Sequence, residues 1–463
     1  MGTTQVQAIE PALLDRIKTG IYSMGEVVSA LWIRQIIIVA MLLVSALAGF
    51  LALSRTQGVV QTIGKDSVPS IVAAEQIRVT LADANTDFLN VFLNREAANG
   101  PSMQAYRKAM DQAHDALLTA SQNITYGQEE RQPILNAMQA LGIYEGLVGK
   151  AVADGRYTDT VEAADRLMQK EILPAVVALD GANFQHMAEA YETGRHDAKS
   201  IALAMVFACG LTGAALVATQ LYLFKRFNRV FNIPLLIATV ALVVVGAWVF
   251  TATSNVLFRD MKTAKEDAFD SVHALSQALA VGYEANAAES MYLLQTGFPS
   301  AQTESTARFQ RQAAQIYIGP DLLVSGMLNS ADGKTLAHQG LLGDEMANIT
   351  FEGEDQAARA TLGAWLEYAT VDRRIRALEV SGRHAEAVAL CLGSKPHESD
   401  WVFEQFVKFA KQTADINQAV FDREVDLAFA HVQRAKWAFL LGMLIALVGS
   451  VVGVQVRLSE FRA

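Results

Sequence analysis

Only two cysteines occur in 463 residues, and no disulfide between them is expected: Cys209 sits inside an apolar run and Cys391 beside a loop. The loops of nucleotide chemistry are missing as well. No GxxxxGK[ST] or GxGxxG stretch is present, and no serine lies in a GxSxG turn. The eight histidines are scattered without HExxH or paired ligand spacing. Cys391 and His397 share a loop but have no further ligand nearby in sequence, and His114, between Asp111 and Asp115, reads as part of a solvated helix face. These absences argue against an enzyme and against a metal or organic cofactor. Proline is scarce too, at nine residues, and long helices can run uninterrupted.

Hydrophobic residues, by contrast, make up 52% of the chain while 19% of residues are charged. That combination suits neither an ordinary soluble domain nor a polytopic transporter. The apolar excess falls in four runs, at residues 33–54, 201–224, 231–253 and 437–456. Each is long enough, at about 1.5 Å per residue, to cross a hydrocarbon core of roughly 30 Å. Arg34 is placed to snorkel, and Trp32, Trp248 and Trp437 occupy interfacial positions. The first run begins too late for a cleavable signal peptide and is expected to be retained. The spans carry almost no ionisable residue and no broken helix, which disfavours transport.

Orientation follows from the short loop at residues 225–230, where Lys225, Arg226 and Arg229 concentrate positive charge; such loops stay on the cytoplasmic side. Residues 1–32, an amphipathic segment, and the tail at 457–463 are then cytoplasmic, so both termini lie inside. Residues 55–200 and 254–436 lie outside. The formal net charge of −10 falls largely on these two outer segments, which argues against nucleic acid as a partner. The inner segments are too short to house a kinase, a cyclase or a signalling coiled coil, so a separate protein must receive any message.

Both outer segments read as helical throughout, and the predicted fold class is all-α: four transmembrane helices with two extracytoplasmic four-helix bundles in duplicated halves. In the first segment Asn99-Gly100-Pro101, the stretch 123–127 and Asp154-Gly155-Arg156 mark three breaks and hence four helices. Asp66-Ser67-Val68 lines up with Asp270-Ser271-Val272, and on that register Thr86, Phe88 and Leu89 fall on Ser290, Tyr292 and Leu293. The second segment carries an insertion near residues 318–351. Asn123-Ile124-Thr125 and Asn348-Ile349-Thr350 fit the N-glycosylation pattern, which has meaning only in a eukaryotic secretory pathway and is read as chance.

Polar residues on the bundle helices supply candidate binding positions. Arg78, Asp83, Asn85 and Asp87 lie on the first long helix, Tyr144 on the third, and Arg373, Arg374 and Arg376 form a basic group in the second segment. They suit a carboxylate-bearing solute or a partner protein, against the plainer reading that they form the solvated stripe of an amphipathic helix. On the inner side Lys225, Arg226, Arg229, Arg457 and Arg462 are the candidate relay contacts. Gly210, Gly213, Ala214 and Ala215 permit close helix contact within span two, either inside the chain or in a homodimer.

Tyr144-Glu145-Gly146-Leu147-Val148, Ala151, Leu167-Met168 and Ile172-Leu173-Pro174-Ala175 together resemble the YxGLVxxA, LM and LLPA pattern of GlnX-type four-span bacterial membrane signalling proteins. Leu81 to Asn85 with Phe88-Leu89 is similar to that family's first outer helix, and the ending from Arg457 to Arg462 to its RLxEYR terminus. The outer bundles also resemble the four-helix sensor domains of chemoreceptors. The resemblance implies a relay in the bacterial cytoplasmic membrane, with an extracytoplasmic amino-acid-binding lipoprotein on one side and a cytoplasmic serine/threonine kinase on the other. The expected function is therefore a transmembrane sensor or signal relay. The alternative is an accessory or scaffold subunit of a larger membrane complex.

Overall fold

A computed structural model describes residues 11–227, 232–319 and 338–460. Among them the chain is helical and contains no strand, only an isolated antiparallel bridge between Ile318 and Gln339. The helices are α1 (Pro11–Gln61), α2 (Val68–Leu93), α3 (Pro101–Gln122), α4 (Gln128–Asp154), α5 (Asp159–Leu167), α6 (Leu173–Phe227), α7 (Ile233–Asn255), α8 (Asp270–Leu294), α9 (Pro299–Ile316), α10 (Leu341–Asn348), α11 (Glu354–Val380), α12 (His384–Cys391) and α13 (Ser399–Ser459). The breaks between α2 and α5 fall at the glycine, proline and asparagine positions that predict them. Pro101 opens α3 at its first turn, where a missing N–H costs nothing. Gly155 closes α4 in the left-handed conformation, its N–H bonded to the Ala151 carbonyl at 3.1 Å.

The helices form two compact units, one from residues 1–59, 192–260 and 427–463, the other from Val60–Tyr191 and Met261–Asp426. Among the described residues four helices are long and apolar enough to cross a membrane, and the first unit contains their apolar stretches. Its interior is built by Leu31, Ile38, Leu42, Met205, Leu216, Leu242, Val249, Phe439 and Met443, while Ile36, Leu43, Phe207, Val243, Trp248 and Leu444 face outward. An apolar exterior over an apolar interior is stable only in lipid. Inside, Ser45 and Thr212 share a buried hydrogen bond of 2.9 Å, and the Asn232 side chain donates to the Gly453 carbonyl at 2.7 Å. Close helix approach is made at Gly449, where an added Cβ would lie 2.7 Å from the Pro234 carbonyl oxygen; Gly210 and Gly213 have nothing within 4 Å. The in-chain reading of the span-two glycines is thereby corrected: their small face is left open.

The second unit holds two cores side by side. In the first core Phe88, Tyr106, Leu141, Tyr144 and Ile172 pack between α2, α3, α4 and the start of α6. In the second, Tyr292, Phe309, Trp365, Tyr368, Phe403 and Phe406 do the same between α8, α9, α11 and the start of α13. The central helices α2 and α8 lie against each other, and each contributes to the other's core: Ala287 and Met291 to the first, Val79 and Leu93 to the second. Thr86 donates to the Tyr283 carbonyl at 3.2 Å and Ser290 to Asn90 at 2.9 Å across this contact. The two segments thus fold as one body.

Local structure repeats between the segments. A π-helical turn precedes both α2 (Thr62–Ser67) and α8 (Thr263–Phe269). The two Asn-Ile-Thr stretches, read from sequence as chance glycosylation matches, are the same helix-entry device. The Glu130 carboxylate accepts the N–H groups of Thr125 and Tyr126 at 2.6 and 2.5 Å. The Glu354 carboxylate accepts those of Thr350 and Phe351 at 2.7 and 2.8 Å. Of the predicted insertion, residues 320–337 lie outside the described residues; α10 lies within its remainder.

Candidate functional site

Between α5, α8 and α9 the second unit encloses a cleft of about 370 Å³. Its lining carries both signs of charge and several amides: Glu162, Asp165, Arg166, Arg308, Arg311 and Gln169 among them. Asp165 anchors it. One carboxylate oxygen accepts from Arg308 Nη1 at 2.6 Å and the other from the Asn85 amide at 2.8 Å. Asn85, fully buried, accepts in turn from the Tyr144 hydroxyl at 3.2 Å. The network runs from the core of the first bundle to an arginine of the second. Among the described residues the Nε and Nη2 atoms of Arg308 and the amide nitrogen of Gln169 are buried without a hydrogen-bond partner. A guanidinium with one edge committed and another unmatched is suited to a carboxylate-bearing solute, which takes two parallel hydrogen bonds. The Tyr144 hydroxyl stays protonated because burial pushes its pKa well above the ordinary tyrosine range.

The structure disperses the remaining sequence candidates. Arg78 pairs with Glu284 of α8 at 2.9 Å and binds the two bundles together. Asp83 and Asp87 are half-buried. Burial raises Asp83 to about 6, with Lys411 opposing and Asp400 adding to the shift. Burial also raises Asp87 to about 8, with Asp83, Asp400 and Glu96 adding to it. Arg373 donates to Thr370 and Arg374 is exposed. Arg376 grips Asp372 through two bonds of 2.8 Å and lies over the rings of Tyr292 and Phe309. The three arginines therefore face different directions. Lys225 and Arg226 are exposed, Arg457 is bonded to Glu460 at 2.5 Å, and Arg229 and Arg462 lie outside the described residues.

Sequence reading missed Asp165, Arg308 and Gln169. Asp165 stands two residues before the Leu167-Met168 motif, but nothing local links it to Arg308, 143 positions away. It also missed Glu289, which occupies the position of Asn85 on the duplicate register. Glu289 is buried and accepts from Ser399 at 2.7 Å and from Cys391 at 3.4 Å. Burial, with Asp372 nearby, pushes Glu289 up to about 8. Cys391 is therefore an interior thiol, and His397 pairs instead with Glu367 at 2.5 Å.

Residues 59–192 match the family described as "Actinobacterial sensor domain". The matched stretch coincides with the first chain segment of the second unit, Val60–Tyr191, and includes Asn85, Tyr144 and Asp165. No curated protein and no solved structure matches the chain. The match supports a bacterial sensor protein with a signal-sensing role, and the four candidate spans mark it as a membrane protein.

Proposed function

We propose that the chain is a transmembrane signal relay: residues 55–200 and 254–436 lie outside the bacterial cytoplasmic membrane, both termini lie inside, and solute or partner binding outside alters what the inner segments present to a separate effector. The observation that carries this reading is the Arg308 cleft, inside a body whose first half matches a sensor family. Binding a polar solute there would draw α5 and α9 together. The run Glu26–Leu93 is helical throughout, as is Ser399–Ser459, and a packed helix shifts between discrete arrangements rather than deforming smoothly. The resemblance to GlnX-type proteins favours a solute-binding lipoprotein outside and a kinase inside as partners.

The test is a thermal-shift screen of the purified chain in mild detergent against amino acids and other small carboxylates, with crosslinked co-purification from the native host. A true ligand at a hundredfold excess over its Kd adds about 2.7 kcal/mol of stability. The shift should vanish in Arg308→Met and shrink in Gln169→Leu, the second variant leaving the Asp165 ion pair intact. No responding solute, together with stoichiometric recovery of a transporter or secretion complex, would overturn the relay in favour of a scaffold subunit.

A further inference from the structure

On the side of the α2–α8 contact formed with α6, three potential ligands converge that the signalling reading does not use. Glu75 of α2, Asp180 of α6 and His273 of α8 place one donor atom each within 4.8 Å of the others. His273 Nε2 lies 3.1 Å from Asp180 Oδ2 and 3.7 Å from Glu75 Oε1. A tetrahedral ion with bonds of about 2.1 Å separates its ligands by roughly 3.4 Å. The imidazole is fixed by stacking on Phe184 at 4.7 Å and Phe269 at 6.0 Å, both within 13° of parallel.

Three observations suit a cation at this place. Glu75 is 2% exposed, yet neither of its carboxylate oxygens has a hydrogen-bond partner among the described residues. Two buried carboxylates adjoin here with His273 as the basic side chain against both, while Arg78 is committed to Glu284. Buried charge of one sign is costly without a counter-charge. Finally, His273 Nε2 is crowded by Asp180 Oδ2 at 3.1 Å and by the Gln277 amide nitrogen at 3.0 Å, the latter donating to Asp180 Oδ2 at 3.4 Å as well. A divalent ion accommodates all three. It neutralises both carboxylates, takes the Nε2 lone pair, and lets Gln277 turn its amide oxygen inward as a fourth ligand or yield that place to water.

We propose that Glu75, Asp180 and His273 form a binding site for one divalent transition-metal ion of the zinc class, which clamps α6 to the paired helices α2 and α8. The imidazole ligand selects against magnesium and calcium. The full chain, purified in mild detergent and stripped with chelator, is titrated with Co2+ and, separately, with Zn2+. The expected result is one equivalent per chain, visible d–d bands of four-coordinate Co2+, and a Zn2+-dependent rise in Tm. His273→Phe, which keeps the ring stack but removes the donor, should weaken binding about a hundredfold or more and abolish the Tm rise. Glu75→Gln, near-isosteric, should weaken it at least tenfold. Wild-type protein that takes up no equivalent of either metal would overturn the proposal whatever the variants do. Undiminished Co2+ spectra and affinity in both variants would overturn it too.

Discussion

Glu289 offers a test of the second bundle's interior that can be worked through in numbers. Its pKa of about 8 in the folded chain, against an ordinary 4.5, means that the folded state holds a proton the unfolded state has released throughout that interval. Stability from this group is fully present below pH 4.5 and is lost as pH rises through 8. At about 1.4 kcal/mol per pH unit, the stretch from pH 6 to 8 removes at most about 3 kcal/mol. Glu289→Gln keeps an acceptor oxygen for Ser399 and Cys391 but cannot ionise. Asp83, Asp87, Asp400 and Glu345 are raised as well but are common to wild type and variant, whereas Asp372, raised by burial and facing Glu289, shifts with it, so the difference reports the Glu289–Asp372 pair. Thermal unfolding of both proteins from pH 6 to pH 9 should show the variant gaining on the wild type by roughly 6 °C, at 2 to 4 °C per kcal/mol. Parallel curves, differing by a constant offset, would refute the reasoning and place Glu289 in contact with solvent or a fixed cation.

Glu130→Ala and Glu354→Ala each orphan two backbone N–H groups and should each cost about 1–3 kcal/mol by denaturant titration; a neutral effect from either would deny the shared helix-entry device. Among the spans, Gly449→Val forces a side chain against the Pro234 carbonyl and should destabilise the detergent-solubilised chain by about 1–3 kcal/mol. Gly210→Val, which meets nothing within 4 Å, serves as its comparison and should leave the monomer's Tm unchanged.

The four spans and the helix breaks were legible because each leaves a local mark: an apolar run in one case, a proline or left-handed glycine in the other. The Asn-Ile-Thr stretches were visible as letters but not as structure, since what makes them a device is a glutamate several residues on. With Glu130 and Glu354 placed in register, Tyr144 of the first bundle falls on Tyr368 of the second, and both are fully buried beside an aromatic ring. Asn85 stands among polar residues of a helix face and Tyr144 in a sequence motif, yet Asp165 and Arg308, which join them in one network, come from helices far along the chain. No periodicity within one segment can pair them.

The same limit hides the second buried face of α2 and α8. A helix at the edge of one bundle shows an apolar stripe and a solvated one, but from Val79 to Phe92 the residues of α2 are buried on nearly every side. The second face carries Thr86 and Asn90, and α8 opposes them with the Tyr283 carbonyl and Ser290. Polar groups of modest size read as solvent-facing in sequence. Here they satisfy one another between two helices, where a wholly apolar seam would have allowed several registers and a hydrogen-bonded one favours few. The Arg78–Glu284 pair adds a directional constraint to that seam. A seam specified in this way holds α2 and α8 in one register, and the two segments fold as one body on that account.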